Sequence, residues 1–144
     1  MGSALFIGAV LNRLRRLLIV NTVRHKTGRA GEDAAVAFLL TQGLRVRERN
    51  WRNRFGEIDI IMEADGCIVF VEVKTRRTDH CGKPFDAVPR AKQIRIGRCA
   101  VAYAAAHGLL DKAIRFDVVS VMPGAIEHCV NAFTVTDYDG YRGI

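Results

Sequence analysis

Asp65-Gly66 restricts the fold of this chain more than any other dipeptide, because it stands between two β-rich runs, Glu57–Met62 and Cys67–Lys74. A two-residue type I′ turn needs positive φ at both central positions, and Asp-Gly supplies it. Counting outward from that turn sets Ala64 opposite Cys67, Met62 opposite Val69, Asp59 opposite Glu72 and Glu57 opposite Lys74. Side chains alternate along a strand, so Glu57, Asp59, Glu72 and Lys74 project from one face. Ile58, Ile60, Val69, Val71 and Val73 predict burial of the other.

Carboxylates facing one another across strands destabilise the pair, so Asp59 opposite Glu72 needs compensation. A hard divalent cation supplies it, since magnesium takes one or two carboxylates together with water and substrate phosphate. Lys74 would then stand beside the phosphate and the attacking water, where an ammonium orients a nucleophile or stabilises developing charge. Metal-assisted phosphodiester hydrolysis is the chemistry this pattern suits. The bland alternative is a decorated strand edge, with Glu57 and Lys74 as an ordinary cross-strand ion pair.

At 144 residues with 49% hydrophobic side chains, the chain is expected to form one domain with a real core. The net charge of +7 favours an anionic partner, nucleic acid first and an acidic membrane surface second. Basic residues are segregated: Arg13, Arg15, Arg16, Arg24 and Lys26 share a leading segment that has no acid. Its apolar run, Ala4–Leu11, falls far short of the roughly 20 residues of a spanning helix. Positive charge follows that run instead of preceding it, which argues against a secretory signal. On a helix, Ile7, Leu11, Leu14 and Leu18 share one face. Met1–Lys26 is thus read as a basic amphipathic extension, with packing on the domain, a flexible attachment and membrane contact as its alternatives. Cys67, Cys81, Cys99 and Cys129 form no Cys-x-x-Cys pair, and the four histidines are scattered, so reduced thiols in a cytoplasmic protein are expected.

Thr27–Gly43 reads as a first helix with an apolar stripe at Ala34, Ala35, Phe38 and Leu39, and Gly28 and Gly31 at its start permit close approach. Glu32 in its first turn either complements the helix dipole or brings a third carboxylate to the acidic face. Leu44–Asn50 alternates Leu44 and Val46 with Arg45, Arg47 and Arg49, predicting a strand with one polar face. Trp51 among Arg49, Arg52 and Arg54 suits nucleic-acid contact, or a solvated strand end. Thr75–Val88 is a polar loop, and Pro89 opens a helix running to about His107, with Ile94, Val101 and Ala105 on one face and Lys92, Arg95 and Arg98 on another. Ile114–Met122 and Ala125–Thr134 read as strands on either side of Pro123-Gly124, with Asp117 capping or pairing with Arg115. The order is αβββαββ, an α/β arrangement with the acidic hairpin in its middle.

Taken jointly, Gly31-Glu32-x-x-Ala35, Arg49-Asn50, Gly56-Glu57-Ile58-Asp59, Val69-Phe70-Val71-Glu72-Val73-Lys74 and Phe116-Asp117-Val118-Val119 resemble the YraN-type bacterial proteins. The resemblance covers roughly 27–134 as a nuclease-like domain, leaving 1–26 as an extension and 135–144 as a tail. It implies a restriction-endonuclease-like mixed β-sheet flanked by helices, similar to archaeal Holliday-junction resolvases. Asp59 and Glu72 then match the metal-binding acids of a PD-(D/E)xK core, Lys74 its lysine, and Glu32 a helical glutamate near the ion. Glu57 stands where a proline often precedes the motif aspartate, as an auxiliary acid or as the partner of Lys74. The expectation is a magnesium- or manganese-dependent endonuclease acting on DNA, branched or junction DNA included, as a homodimer. Asp59, Glu72 and the Val73 carbonyl would hold the ion, and Arg52, Arg54, Arg76, Lys92 and Arg95 would contact phosphates, making binding steeply salt-dependent. The competing expectations are a nucleic-acid-binding module that does no chemistry, and a membrane-surface adaptor working through Met1–Lys26.

Overall fold

A computed structural model of the chain describes residues 28–76 and 88–135. The extension Met1–Lys26, most of the polar loop after Thr75 and the tail from residue 136 lie outside these described residues. Two compact units are distinguished, Met1–Ala30 and Gly31–Ile144, and residues 28–30 are the described part of the first.

Helix α1 covers residues 28–41 and ends at Gly43, whose φ of 86° is the left-handed value a helix stop uses. Three strands follow, β1 (Arg45–Asn53), β2 (Gly56–Ala64) and β3 (Cys67–Thr75). Helix α2 (Arg90–Ala106) leads to β4 (Ala113–Met122) and β5 (Ala125–Phe133). The five strands form one sheet in the order β1-β2-β3-β4-β5, with β3 and β4 parallel and the other neighbours antiparallel. A mixed sheet with αβββαββ order is therefore what this sequence makes. The turn at Asp65-Gly66 has φ of 50° and 74°, as a type I′ turn demands.

Alternation along β3 builds two cores. Val69 and Val71 pack with Ala35 and Leu39 of α1, whereas Ile68 and Phe70 pack with Ile96, Cys99 and Tyr103 of α2. A sheet buried on both faces explains why β3 is a nearly unbroken apolar run. Burying each such side chain stabilises the fold by about 1.5–3 kcal/mol.

Three expectations are corrected. Arg45, Arg47 and Arg49 do not share a face, because a bulge between Val46 and Glu48 breaks the alternation. Arg47 turns to Glu63 and the Tyr103 hydroxyl of α2, while Arg49 turns to Asp33 of α1. The buried side of α2 carries Ile96, Cys99, Ala100, Tyr103 and Ala104, not Ile94, Val101 and Ala105. Apolar residues surround the second half of that helix, so periodicity alone does not select a face. Trp51 packs edge-on against Tyr103 at 5.3 Å, which engages its ring within the protein.

Gly31 is a position where glycine is required. A Cβ there would lie 2.0 Å from Thr75 Oγ1 and 3.3 Å from Thr75 Cβ, so α1 meets the end of β3 without room for a methyl group. Gly31→Ala is expected to cost about 1–3 kcal/mol by overpacking. Adding Thr75→Ala removes the clashing hydroxyl and should restore most of that loss in urea denaturation. An unaltered midpoint for Gly31→Ala alone would refute the close approach.

Candidate active site

The hairpin register holds from Ala64–Cys67 to Ile60–Val71 and then stops. Beyond it, β3 continues beside β4, with Glu72 level with Val118 and Lys74 with Ser120. The backbone pairs Asp59–Glu72 and Glu57–Lys74 counted from the turn are not in this ladder. The Val73 amide instead donates to Asp59 Oδ2 at 2.8 Å. A side-chain carboxylate thus takes over where the strands part, and it ties β2 to β3 at the point of divergence.

The parting strands leave a cavity of about 330 Å³ whose charged lining comprises Glu57, Asp59 and Glu72 from the sheet with Lys92 and Arg95 from α2. Glu72 is 7% exposed and forms an ion pair with Lys92. Burial pushes Asp59 up to about 7 from 3.8, Glu72 raises it further, the Val73 amide opposes the rise, Glu32 adds to it and Lys92 opposes it. Glu32 thus acts on Asp59 through its charge. Its own contacts are Asn50 Nδ2 at 3.1 Å and Arg49 at 3.7 Å. Asn50 reaches it from a left-handed backbone with φ of 52°, a conformation asparagine tolerates better than most residues.

The other named residues divide clearly. Glu57 pairs with Arg52 at 3.0 Å, its neighbour in the β1–β2 ladder. Lys74 follows Glu72 by two positions, hence on the same face of β3, but it is not part of the cavity wall. Val73 offers its amide to Asp59, which fixes the backbone whose carbonyl the sequence assigned to the ion. Arg54 stacks over Phe55 at 4.7 Å, and the Arg76 amide donates to the Val121 carbonyl at 2.9 Å. Lys92, expected on phosphate, is bonded to an acid of the cluster. The sequence did carry a signal for this. Helix α2 opens with Arg90 and Lys92 and no acid in its first turn, and cations at the positive end of a helix dipole need an anion nearby.

The donor set suits a hard cation. Two carboxylates at one cavity, one of them held toward its neutral form by burial and then by the other, gain from a positive ion, and oxygen ligands are what magnesium and manganese take. Among the described residues no three His, Cys, Asp or Glu side chains already stand at ion-holding distance, so Asp59 and Glu72 would share an ion with water and substrate oxygens. No helix among the described residues is long and apolar enough to cross a membrane.

The profile of the uncharacterised protein family UPF0102 matches residues 31–121. A UPF0102 protein of Myxococcus xanthus is 46% identical over 114 residues, 76% of this chain and 90% of the relative. One from Symbiobacterium thermophilum is 50% identical over 69% of this chain and 84% of its own length, and one from Persephonella marina 41% identical over 77% and 95%. Among solved structures, the crystal structure of SSO0001 aligns with 85% of this chain and 60% of that one at 16% identity; its TM-score of 0.37 establishes no shared fold.

Proposed function

The chain belongs to the uncharacterised protein family UPF0102, and from the chemistry of its acidic cavity we propose that it is a metal-dependent endonuclease hydrolysing DNA phosphodiester bonds. One observation carries the reading. Asp59 and Glu72 are brought to a single cavity with Asp59 forced up to about 7, at a cost that a bound cation would remove. A restriction-endonuclease-like fold belongs to the same proposal, supported by the αβββαββ order and by acids gathered where two central strands diverge.

Asp59, Glu72 and the Val73 carbonyl would hold magnesium or manganese, with Glu32 adding negative potential behind them. Such an ion supplies Lewis acidity to the phosphodiester. Lys74, on the face of β3 that carries Glu72, orients the attacking water and stabilises charge on the phosphoryl oxygens. Arg54, Arg76 and Arg95 hold the backbone of the nucleic acid on either side, and the overall positive charge draws it in. Arg52 tethers Glu57 and so shapes the cavity rim. Branched DNA and a two-fold symmetric dimer are the substrate and assembly that this reading favours.

Nicking of supercoiled and branched DNA with manganese tests the proposal. Wild type should cleave, and Glu72→Ala and Lys74→Ala should lose activity by a factor of about 10²–10³. Equal activity in all three preparations would mean a contaminating nuclease and end the proposal. The Lys92–Glu72 pair favours one second reading, a nucleic-acid-binding module that needs no ion, because it already neutralises Glu72. Calorimetry separates the two, since that module has no manganese affinity.

A further inference from the structure

Lys92 is misplaced for an ordinary surface lysine. It stands in the first turn of α2, where the helix dipole disfavours a cation, and no acid of that turn offsets it. Its amide is already used by the Pro89 carbonyl, and its ammonium reaches across the cavity to Glu72, a carboxylate 7% exposed. Asp59 feels the same ammonium as an opposing charge. Arg95 lies one turn further along in the same wall. The pair is thus inside the proposed ion site and not beside it.

We infer that Lys92 is the built-in counterion of this site, occupying Glu72 when no divalent ion is bound and yielding it when one enters. The inference rests on the metal-dependent reading above and adds to it how the ion is admitted. A buried carboxylate left without a partner is costly, so the apoprotein needs a cation of its own at Glu72. A lysine serves because its ammonium is a point charge on a flexible four-carbon stem that can swing away, whereas an arginine fork would hold the carboxylate by two bonds. An ion of charge +2 repels the ammonium and takes its carboxylate. The freed Lys92 then faces the cavity beside the α2 N-terminus, where a phosphate group of the substrate is a fitting partner. Lys92 is accordingly a positioning residue that competes with the ion and later meets the phosphate.

Manganese titration calorimetry of the full chain, without DNA, tests this. Lys92→Gln removes the competitor and should bind manganese about tenfold more tightly than wild type, while Lys92→Arg should bind no more tightly than wild type. Equal or weaker binding by Lys92→Gln, with wild type binding normally, overturns the counterion role and leaves the nuclease reading standing. Absence of binding in wild type and variant alike overturns both. A second measurement needs no substitution: the Lys92 ammonium resonance of ¹⁵N-lysine-labelled wild type should shift as magnesium saturates the protein. A resonance that stays put under saturating magnesium overturns the inference even if Lys92→Gln fails to fold.

Discussion

Asp59→Asn is expected to make the metal-free protein more stable above pH 7 and to abolish its manganese binding and cleavage. The two effects have one cause. Burial first, and Glu72 next, push Asp59 up to about 7 from 3.8, so the folded protein holds a proton that the unfolded chain has given up. A folded-state value raised above the unfolded one gives stability that is complete below about pH 4 and lost as pH rises through about 7. At pH 8 the charged carboxylate therefore costs the fold something on the order of 2–4 kcal/mol. Asparagine carries no charge, and its side-chain oxygen still accepts the Val73 amide, so the variant should show a nearly flat melting temperature across this window. Wild type without metal should melt progressively lower between pH 4 and pH 7, and manganese should cancel the fall in wild type alone. Cleavage by the variant should drop by a factor of about 10²–10³. An Asn variant less stable than wild type at pH 8 would show that Asp59 is held for the fold and would remove the main support for an ion site.

Asp59, the carboxyl whose charged form this fold disfavours, lies where the strand pattern breaks. The break explains what could be read from the residues and what could not. Asp65-Gly66 gave the turn and the register as far as Ile60–Val71, because turn type and apolar alternation both act locally. That was enough to bring Asp59 and Glu72 together. Beyond the Ile60–Val71 pair β3 runs on beside β4, where Glu72 meets Val118 forty-six residues further along the chain, and no local rule reports it. The bulge that sends Arg47 and Arg49 to opposite faces is equally silent in an Arg-rich alternating run. Lys92 was visible as a basic residue but not as the partner of Glu72, since ion pairs between a helix start and a strand follow from packing. Its position in an acid-free first turn was the clue.

Asp117 is where the largest loss of stability is expected, and it lies outside the proposed chemistry. Its carboxylate is fully buried and accepts four hydrogen bonds: two from Arg115 at 2.8 and 2.9 Å, one from the Asn131 amide at 2.9 Å and one from His128 Nε2 at 2.8 Å. An ionised carboxylate only accepts, so His128 Nε2 carries the proton in this contact. The ladder between β4 and β5 shifts register between Phe116 and Val118, and Asn131 adopts φ of 53°, so the side chain of Asp117 supports backbone that the sheet does not. Asp117→Ala would leave a partly buried guanidinium, a partly buried imidazole and an amide without their acceptor. Breaking a buried pair in this way costs about 3–5 kcal/mol, which corresponds to a fall in melting temperature of roughly 10–20 °C for a domain of this size. Asp117→Asn retains the shape and one acceptor oxygen and should lose about half as much. Because no part of Asp117 faces the cavity of Asp59 and Glu72, the folded fraction of either variant at low temperature should bind manganese with wild-type affinity. Loss of manganese binding in a folded Asp117→Asn protein would mean that β4 and β5 govern the site directly, and the separation between brace and chemistry would have to be abandoned.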